Sequence, residues 1–249
     1  MQKNFKLTIE YDGTAYHGWQ RQLTDRTIQG EIERALGKIC NEKITLIGSG
    51  RTDAGVHALG QTANFHCRSR LGADEFQKAL NSLLGADIVI RTCERVTDTF
   101  HARFDARSKI YHYRILNRKL PTAINARYTW FIPRDLDRLA MQAAMGYLEG
   151  EHDFKAFEGT GSPRAHTVRD IYRLGLMEKK EGHLVVDIQA NGFLRFMVRN
   201  IVGTLVDVGL GRTSADDVKT ILLSRDRSRA GATAPPKGLF LMQVCYDPL

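Results

Sequence analysis

Residues 5–11, Phe-Lys-Leu-Thr-Ile-Glu-Tyr, alternate apolar and polar, the two-residue period of a half-buried strand. Thr27 then stands where a helix cap is wanted, and Ile28, Ile32, Ala35, Leu36 and Ile39 fall on one helical face behind it. Short strands are predicted over 43–47 and 61–67. A helical stripe of Phe76, Leu80, Leu83 and Leu84 follows, closed by Gly85, and a further strand covers 88–96. The order of this first half is β-α-β-β-α-β. The second half repeats it. A strand covers 109–116, and Asp135 opens a helix with Leu136, Leu139, Ala140, Ala143 and Tyr147 inward, ending at Gly150. Strands over 168–177 and 184–190 come next, then a helix over 196–208, a short one opened by Ser214, and a last strand over 239–246.

Two such units in series predict an α+β protein, with halves at 1–103 and 104–249, each ferredoxin-like or RRM-like. The expected assembly is one largely antiparallel sheet with helices on one face, which leaves the other face or a central cleft between the halves free for a ligand. The repeat is one of element order, not of residues. Residues 225–231 and the Ser162-Pro163 region read as exposed loops.

Charge adds a partner to this picture. Lys and Arg number 36 against 28 Asp and Glu, a net charge of +8 over 249 residues, which favours a polyanion and nucleic acid before membrane. The four cysteines, Cys40, Cys67, Cys93 and Cys245, have neither zinc-ligand nor Cys-x-x-Cys spacing and suit a reducing compartment. The N-terminus runs straight into a strand pattern with no signal region, and no apolar run approaches the roughly 18 residues needed to span a bilayer. The expectation is a cytoplasmic protein without metal or cofactor.

The candidate chemistry lies in Gly48-Ser-Gly-Arg-Thr-Asp-Ala-Gly-Val-His-Ala58. Its glycines predict a loop with positive-φ positions and room for a ligand to come close. A dinucleotide fingerprint would need a third glycine at position 53, which is Asp53, and no Gly-Lys-Ser/Thr follows, so a phosphate cradle is excluded on spacing. The plain alternatives are an Asx-turn for Asp53 and a surface cation for Arg51.

The flanks weigh against those alternatives. The loop resembles the nucleophile motif of the tRNA pseudouridine synthase A (TruA) family, and the resemblance extends over nearly the whole chain. Tyr11-Asp-Gly-Thr-Ala-Tyr-His-Gly-Trp-Gln20 and His101-Ala-Arg-Phe-Asp-Ala-Arg-Ser-Lys-Ile-Tyr-His-Tyr113 are similar to its N-terminal and central signatures. His152-Asp-Phe-Lys-Ala-Phe157 and Thr167-Val-Arg-Asp-Ile171 resemble a third region. Phe193-Leu-Arg-Phe-Met-Val-Arg-Asn-Ile-Val-Gly203 and Ala234-Pro-Pro-Lys-Gly-Leu239 resemble the C-terminal ones. The departures are Ser49, where alanine is common, and Lys109, where arginine is common.

The resemblance implies an isomerase that turns uridine into pseudouridine, at positions 38, 39 and 40 of the tRNA anticodon arm, as a homodimer. It implies that Asp53 is the nucleophile, that Tyr111 stacks on the target base and helps move a proton, and that Arg199 pairs with Asp53. Breaking a C–N bond, turning the base and forming a C–C bond needs no redox change, so a nucleophilic carboxylate suffices. An aspartate, ordinarily near ~3.9, is ionised at neutral pH. Attack on the uracil ring and action at ribose C1′ both remain open. Arg51 is implied to take the space of an extruded base, a step the chemistry requires in stacked RNA. His57 reads either as a phosphate contact or as a structural histidine. Arg21, Arg26, Arg103, Arg107, Lys109 and Arg114 are candidate phosphate contacts, with solvated surface as the plain alternative. The rivals are an RNA-binding module without catalysis and a pseudouridine synthase with another RNA substrate.

Overall fold

A computed structural model describes residues 2–159, 161 and 166–247, so the expected loop at Ser162-Pro163 lies outside the described residues. In chain order the elements are β1 (Lys3–Tyr11), α1 (Ile28–Cys40), β2 (Leu46–Gly48), β3 (His57–Cys67), α2 (Ala73–Leu83) and β4 (Ile88–Val96). Then come β5 (Ser108–Asn117), β6 (Trp130–Ile132), α3 (Arg138–Gly146), β7 (Gly150–Asp153), β8 (Val168–Glu178) and β9 (His183–Ala190). The chain closes with α4 (Met197–Gly209), α5 (Ala215–Ser224) and β10 (Leu239–Cys245). The α+β class and the predominance of antiparallel pairing are as expected. The chain forms two compact units, Met1–Arg107 with Phe240–Leu249, and Ser108–Leu239. The division therefore falls after Arg107 rather than after residue 103, and residues from Phe240 onward join the first unit.

In the first unit β1 pairs antiparallel with both β3 and β4. Phe5 and Phe65 stand opposite each other on one face, and Phe76 of α2 closes on both, at ring separations of 4.9 and 5.3 Å. All three are fully buried, and truncating one to alanine costs about 3–5 kcal/mol. The alternate residues of β1 face away from the helix and are polar, with Lys6 paired to Glu94 and Glu10 to Arg91. One edge of β3 is shared: β2 pairs with residues 63–65, and β10 runs parallel beside His57 and Ala58. The chain between β2 and β3 leaves the sheet where that edge changes hands. α1 begins as predicted, with the Thr27 hydroxyl accepting from the Gly30 amide, and ends at Asn41 in the left-handed region.

In the second unit β5 pairs antiparallel with β9, β9 with β8 and β8 with β7, while the short β6 runs parallel to β5. Four local expectations change. The cap of α3 is Asp137, whose side chain accepts from the Ala140 amide, not Asp135. The buried stripe is accordingly Met141, Ala144, Met145 and Leu148, and Leu139 is exposed. α2 ends through an extended Leu84 rather than a left-handed glycine. β3 starts at His57, so the last two residues of the expected loop are strand.

Candidate active site

The glycine loop is braced residue by residue. The Ser49 amide donates to the Thr62 carbonyl at 2.8 Å, and the Ser49 hydroxyl donates to Gln61 Oε1 at 2.7 Å. Gln61 Nε2 in turn donates to the Gly50 carbonyl at 3.1 Å. The Thr52 hydroxyl and the Tyr11 phenol share a buried 2.7 Å hydrogen bond, and burial pushes that phenol above its ordinary pKa, so it stays neutral. The Thr52 carbonyl accepts from the Trp19 amide at 3.0 Å, and the Val56 amide donates to the Asp53 carbonyl at 3.2 Å. Of the three loop glycines only Gly55 takes a positive φ, 76°. Gly48 is needed for another reason: a Cβ there would lie 2.6 Å from the buried Trp19 indole. The loop thus fixes its backbone, buries Ser49 and Thr52, and holds Asp53 half-buried between buried Thr52 and exposed Ala54. Arg51 projects into solvent and makes no ion pair or side-chain hydrogen bond among the described residues.

His57 takes the structural role of the two left open. It is 1% exposed, its ring stacks on Phe240 at 4.7 Å, and its Nδ1 lies 3.1 Å from the Gly13 amide nitrogen and 3.0 Å from Asp12 Oδ1. A ring so enclosed presents no edge to an RNA phosphate, which corrects its expected place among the substrate-binding residues.

In the second unit Tyr111 lies on β5 opposite Ile188, 9% exposed, with Phe193 edge-on at 5.1 Å. Lys109, two residues earlier on the same face, is half-buried. Arg199 sits in the first turn of α4, and its Nε donates to the Ala234 carbonyl at 2.7 Å. The Arg195 and Arg199 guanidiniums lie 4.7 and 4.9 Å from the Phe196 ring centroid, and Phe196 itself enters the helix at φ 61°. Residues 232–235 form a strap across the start of α4, and the carbonyl of Pro235, next to Ala234, accepts from the Tyr113 phenol at 2.7 Å. Burial raises the Tyr113 pKa well above its ordinary value, and nearby Arg199 only partly opposes that.

A buried polar network that sequence reasoning missed holds the strap. Asn200 Nδ2 donates to the Phe157 carbonyl, while Asn200 Oδ1 accepts from Arg227 at 3.0 Å and from the Thr233 hydroxyl at 2.7 Å. Arg227, expected in an exposed loop, instead turns inward, and burial lowers its pKa. The available signal was Asn200 itself, an amide inside an otherwise apolar helix.

The candidate phosphate contacts separate. Arg21 pairs with Glu33 at 2.7 Å, and Arg26 pairs with Glu31 and Asp87. Arg114 is half-buried, and desolvation lowers its pKa. Arg103 and Arg107 are exposed and without ion pair or side-chain hydrogen bond among the described residues. All four cysteines are free, and burial pushes Cys40 and Cys93 up to about 12, so neither is a thiolate nucleophile at neutral pH. No cluster of three His, Cys, Asp or Glu among the described residues could hold a metal ion, and no helix among them is long and apolar enough to cross a membrane.

A family described as tRNA pseudouridine synthase matches residues 7–105 and 144–247, which include both the Asp53 loop and Arg199. The chain belongs to the tRNA pseudouridine synthase family. Relatives named tRNA pseudouridine synthase A in Thermoanaerobacter sp. (strain X514) and in Acetivibrio thermocellus are each 47% identical over 244 residues, 98% of this chain and 100% of theirs. One named tRNA pseudouridine synthase A 2 in Clostridium perfringens is 43% identical over 247 residues, again 98% of this chain and 100% of that one. A distant likeness to the solved archaeal box H/ACA sRNP Nop10–Cbf5 complex has a TM-score of 0.36 at 12% identity, covering 81% of this chain and 44% of the other. As a member of the tRNA pseudouridine synthase family the protein is an isomerase acting on uridine in tRNA. Tyr111 and Lys109 lie between the two matched stretches.

Proposed function

We infer that this enzyme converts uridines 38, 39 and 40 of the tRNA anticodon arm to pseudouridine, with Asp53 as the nucleophile. The observation that carries the reading is the setting of Asp53: a half-buried carboxylate on a loop whose backbone is fixed by other residues, two positions from the unpaired, exposed Arg51. The ties at Ser49, Gly50, Thr52 and Gly55 hold the backbone on both sides of the acid, and pre-organisation of this kind is what positioning requires. The reaction breaks the bond from uracil N1 to ribose C1′ and forms one from C5 to C1′. A proton leaves C5 and one is gained at N1, so nothing is oxidised and no outside group is consumed. Asp53 can form its covalent bond either to the uracil ring or to C1′, and both routes use the ionised carboxylate. Tyr111 supplies a ring for the base to stack on and a phenol for late proton movement. Arg199 orients the Asp53 carboxylate and keeps it charged. Arg51 fills the space of the extruded base, and Lys109 contacts the RNA backbone. The working unit is a homodimer in the cytoplasm.

The test is pseudouridine mapping on an unmodified tRNA with uridines at 38, 39 and 40, using wild type and Asp53→Ala side by side. Pseudouridine at those positions with wild type alone is expected. Modification elsewhere in the tRNA would move the target, and product from the variant would remove the nucleophile. Sedimentation of a fully active monomer would remove the dimer.

A further inference from the structure

The segment between β4 and β5, residues 97–107, ends in an aromatic shelf that the reaction does not use. The Phe104 side chain is 75% exposed. One face of its ring lies on the His101 imidazole, with centroids 4.2 Å apart and planes 30° from parallel. The Arg103 guanidinium carbon sits 5.7 Å from the ring centroid. An exposed phenylalanine on a slack loop would mean little, but this turn is fixed at every step. His101 Nδ1 accepts from the Arg103 and Phe104 amides, each at 3.2 Å, and the His101 amide donates to Asp105 Oδ2 at 2.9 Å. The Asp105 amide closes the turn on the His101 carbonyl at 3.1 Å.

The turn is also fastened to the sheet of its own unit. Asn64 Oδ1 accepts from the Ala102 amide, the Ala102 carbonyl accepts from the Tyr246 phenol at 2.8 Å, and the Asn4 amide group donates to the Thr97 and Phe100 carbonyls. The imidazole therefore backs the phenyl ring as a rigid platform. Phe104 is exposed beyond this backing, and the Arg103 guanidinium lies over its ring at 5.7 Å, a cation that a stacked base would bring close to its own phosphate.

We propose that the Phe104–His101 pair is a stacking platform for an unpaired nucleobase of the RNA substrate, flanked by Arg103 and Arg107 as phosphate contacts. Base stacking on a fixed aromatic is sequence-tolerant and is strong because the protein ring has little freedom to lose. The flanking charge selects a nucleic acid over a protein. Arg103 on this turn and Arg107 just after it are exposed cations without an ion pair among the described residues. Of the two carboxylates in residues 97–107, Asp98 lies at the far end beside β4, and Asp105 is held back by the His101 amide through Oδ2. A second copy of the chain would need a broad apolar patch here, of the order of 800 Å² per partner, whereas the neighbours of Phe104 are charged. The proposal rests on the tRNA reading above only for which RNA supplies the base.

The experiment uses full-length Phe104→Ala, Phe104→Leu, Phe104→Trp and Arg103→Gln with an unmodified tRNA transcript. Affinity is measured at several salt concentrations, and saturating single-turnover rates are followed. Phe104→Ala and Phe104→Leu are expected to weaken binding by about 5- to 100-fold, the loss of one stacked base. Their salt slope and single-turnover rate should stay as in wild type. Phe104→Trp keeps a stacking face and restores binding, while Arg103→Gln flattens the salt slope by about one phosphate contact. Wild-type affinity in both Phe104→Ala and Phe104→Leu overturns the proposal. So does a loss of affinity that tracks dissociation of an oligomer in sedimentation, which would assign the ring to a second copy. If wild type made no pseudouridine at 38–40 and Phe104→Ala still lost affinity, the target reading would fail and the platform would stand.

Discussion

Asp53 and Arg199 are held in opposite ways. The loop that carries Asp53 is tied by Ser49, Thr52, Gly55 and Val56, through bonds that involve Gln61, Thr62, Tyr11, Tyr16 and Trp19. Asp53 itself contributes a backbone carbonyl to that bracing. Arg199, by contrast, is a tie. Its Nε fastens the Ala234 carbonyl, its backbone carbonyl accepts from the Ala234 amide at 3.1 Å, and its guanidinium lies on Phe196. The ties at Ser49, Gly50, Thr52 and Gly55 do not pass through position 53, so they survive a change of side chain there. The Arg199 side chain is itself part of the brace, so loss of function there mixes lost chemistry with lost position.

The largest effect should come at Asp53. Asp53→Asn keeps the side-chain volume and removes the carboxylate proposed as the nucleophile. The single-turnover rate is expected to fall at least about a thousandfold, in line with other nucleophile deletions. Arg199→Met should also lose activity, and it leaves the buried Ala234 carbonyl without its donor, at about 1–3 kcal/mol. Denaturant midpoints for the two variants check the contrast: Arg199→Met should be clearly the less stable, and equal midpoints would dissolve the distinction.

A smaller effect should follow from moving the strap without touching Arg199. A Cβ at Gly203 would lie 1.7 Å from the Ala232 carbonyl oxygen, so Gly203→Ala must push residues 232–234 away from α4. We expect a loss of about 1–3 kcal/mol from overpacking. A rate loss of about 10- to 100-fold should accompany it, as a displacement near 1 Å can produce. Affinity for tRNA should change little. A destabilised variant with an unchanged rate would show that the Ala234 strap does not position Arg199 for the reaction.

The sequence made the Asp53 side of this comparison legible and hid most of the other. The start of α1 could be read to the residue because Thr27 and its apolar stripe agree. α3 could not, because Asp135 and Asp137 both cap well and alanines give a weak phase. The choice is made by distant bonds, from the Asp137 amide to the Gly209 carbonyl and from the Leu136 amide to Asn117 Oδ1. β6 and β7 have three and four residues, too few to show a period. The parallel run of β10 beside β3 joins residues nearly a chain length apart, and no local pattern names such a partner. Asp53, Tyr111 and Arg199 stood out as letters in motifs. The work of Ala234 and Pro235 is done by carbonyls that every residue has, so their letters say nothing of it. Phe104 sat within a motif, but its exposure belongs to the turn and not to the residue type.

The smallest expected effect calibrates the rest, because it should touch stability and leave the rate alone. His112 is next to Tyr111 on β5 and faces Asp187 of β9, with Nε2 3.3 Å from Oδ1, while Arg173 holds the other carboxylate oxygen at 2.7 Å. Burial lowers the His112 pKa, Arg114 and Arg173 lower it further, and Asp187 only partly offsets them. The folded protein therefore binds this proton less readily than the unfolded chain, whose histidine titrates near ~6.5. Stability is fully present above that value and drains as pH falls through it towards the lower folded pKa. His112→Gln keeps a hydrogen-bonding partner for Asp187 and removes the titration. The variant should show a shallower loss of stability between neutral pH and about pH 5, with an unchanged single-turnover rate at neutral pH. An equally steep acid loss would place the sensitivity elsewhere. A changed rate would mean that the strand carrying Tyr111 is coupled to its outer face, and the independence assumed for the Asp53 and Arg199 variants would then need a double-mutant cycle against His112.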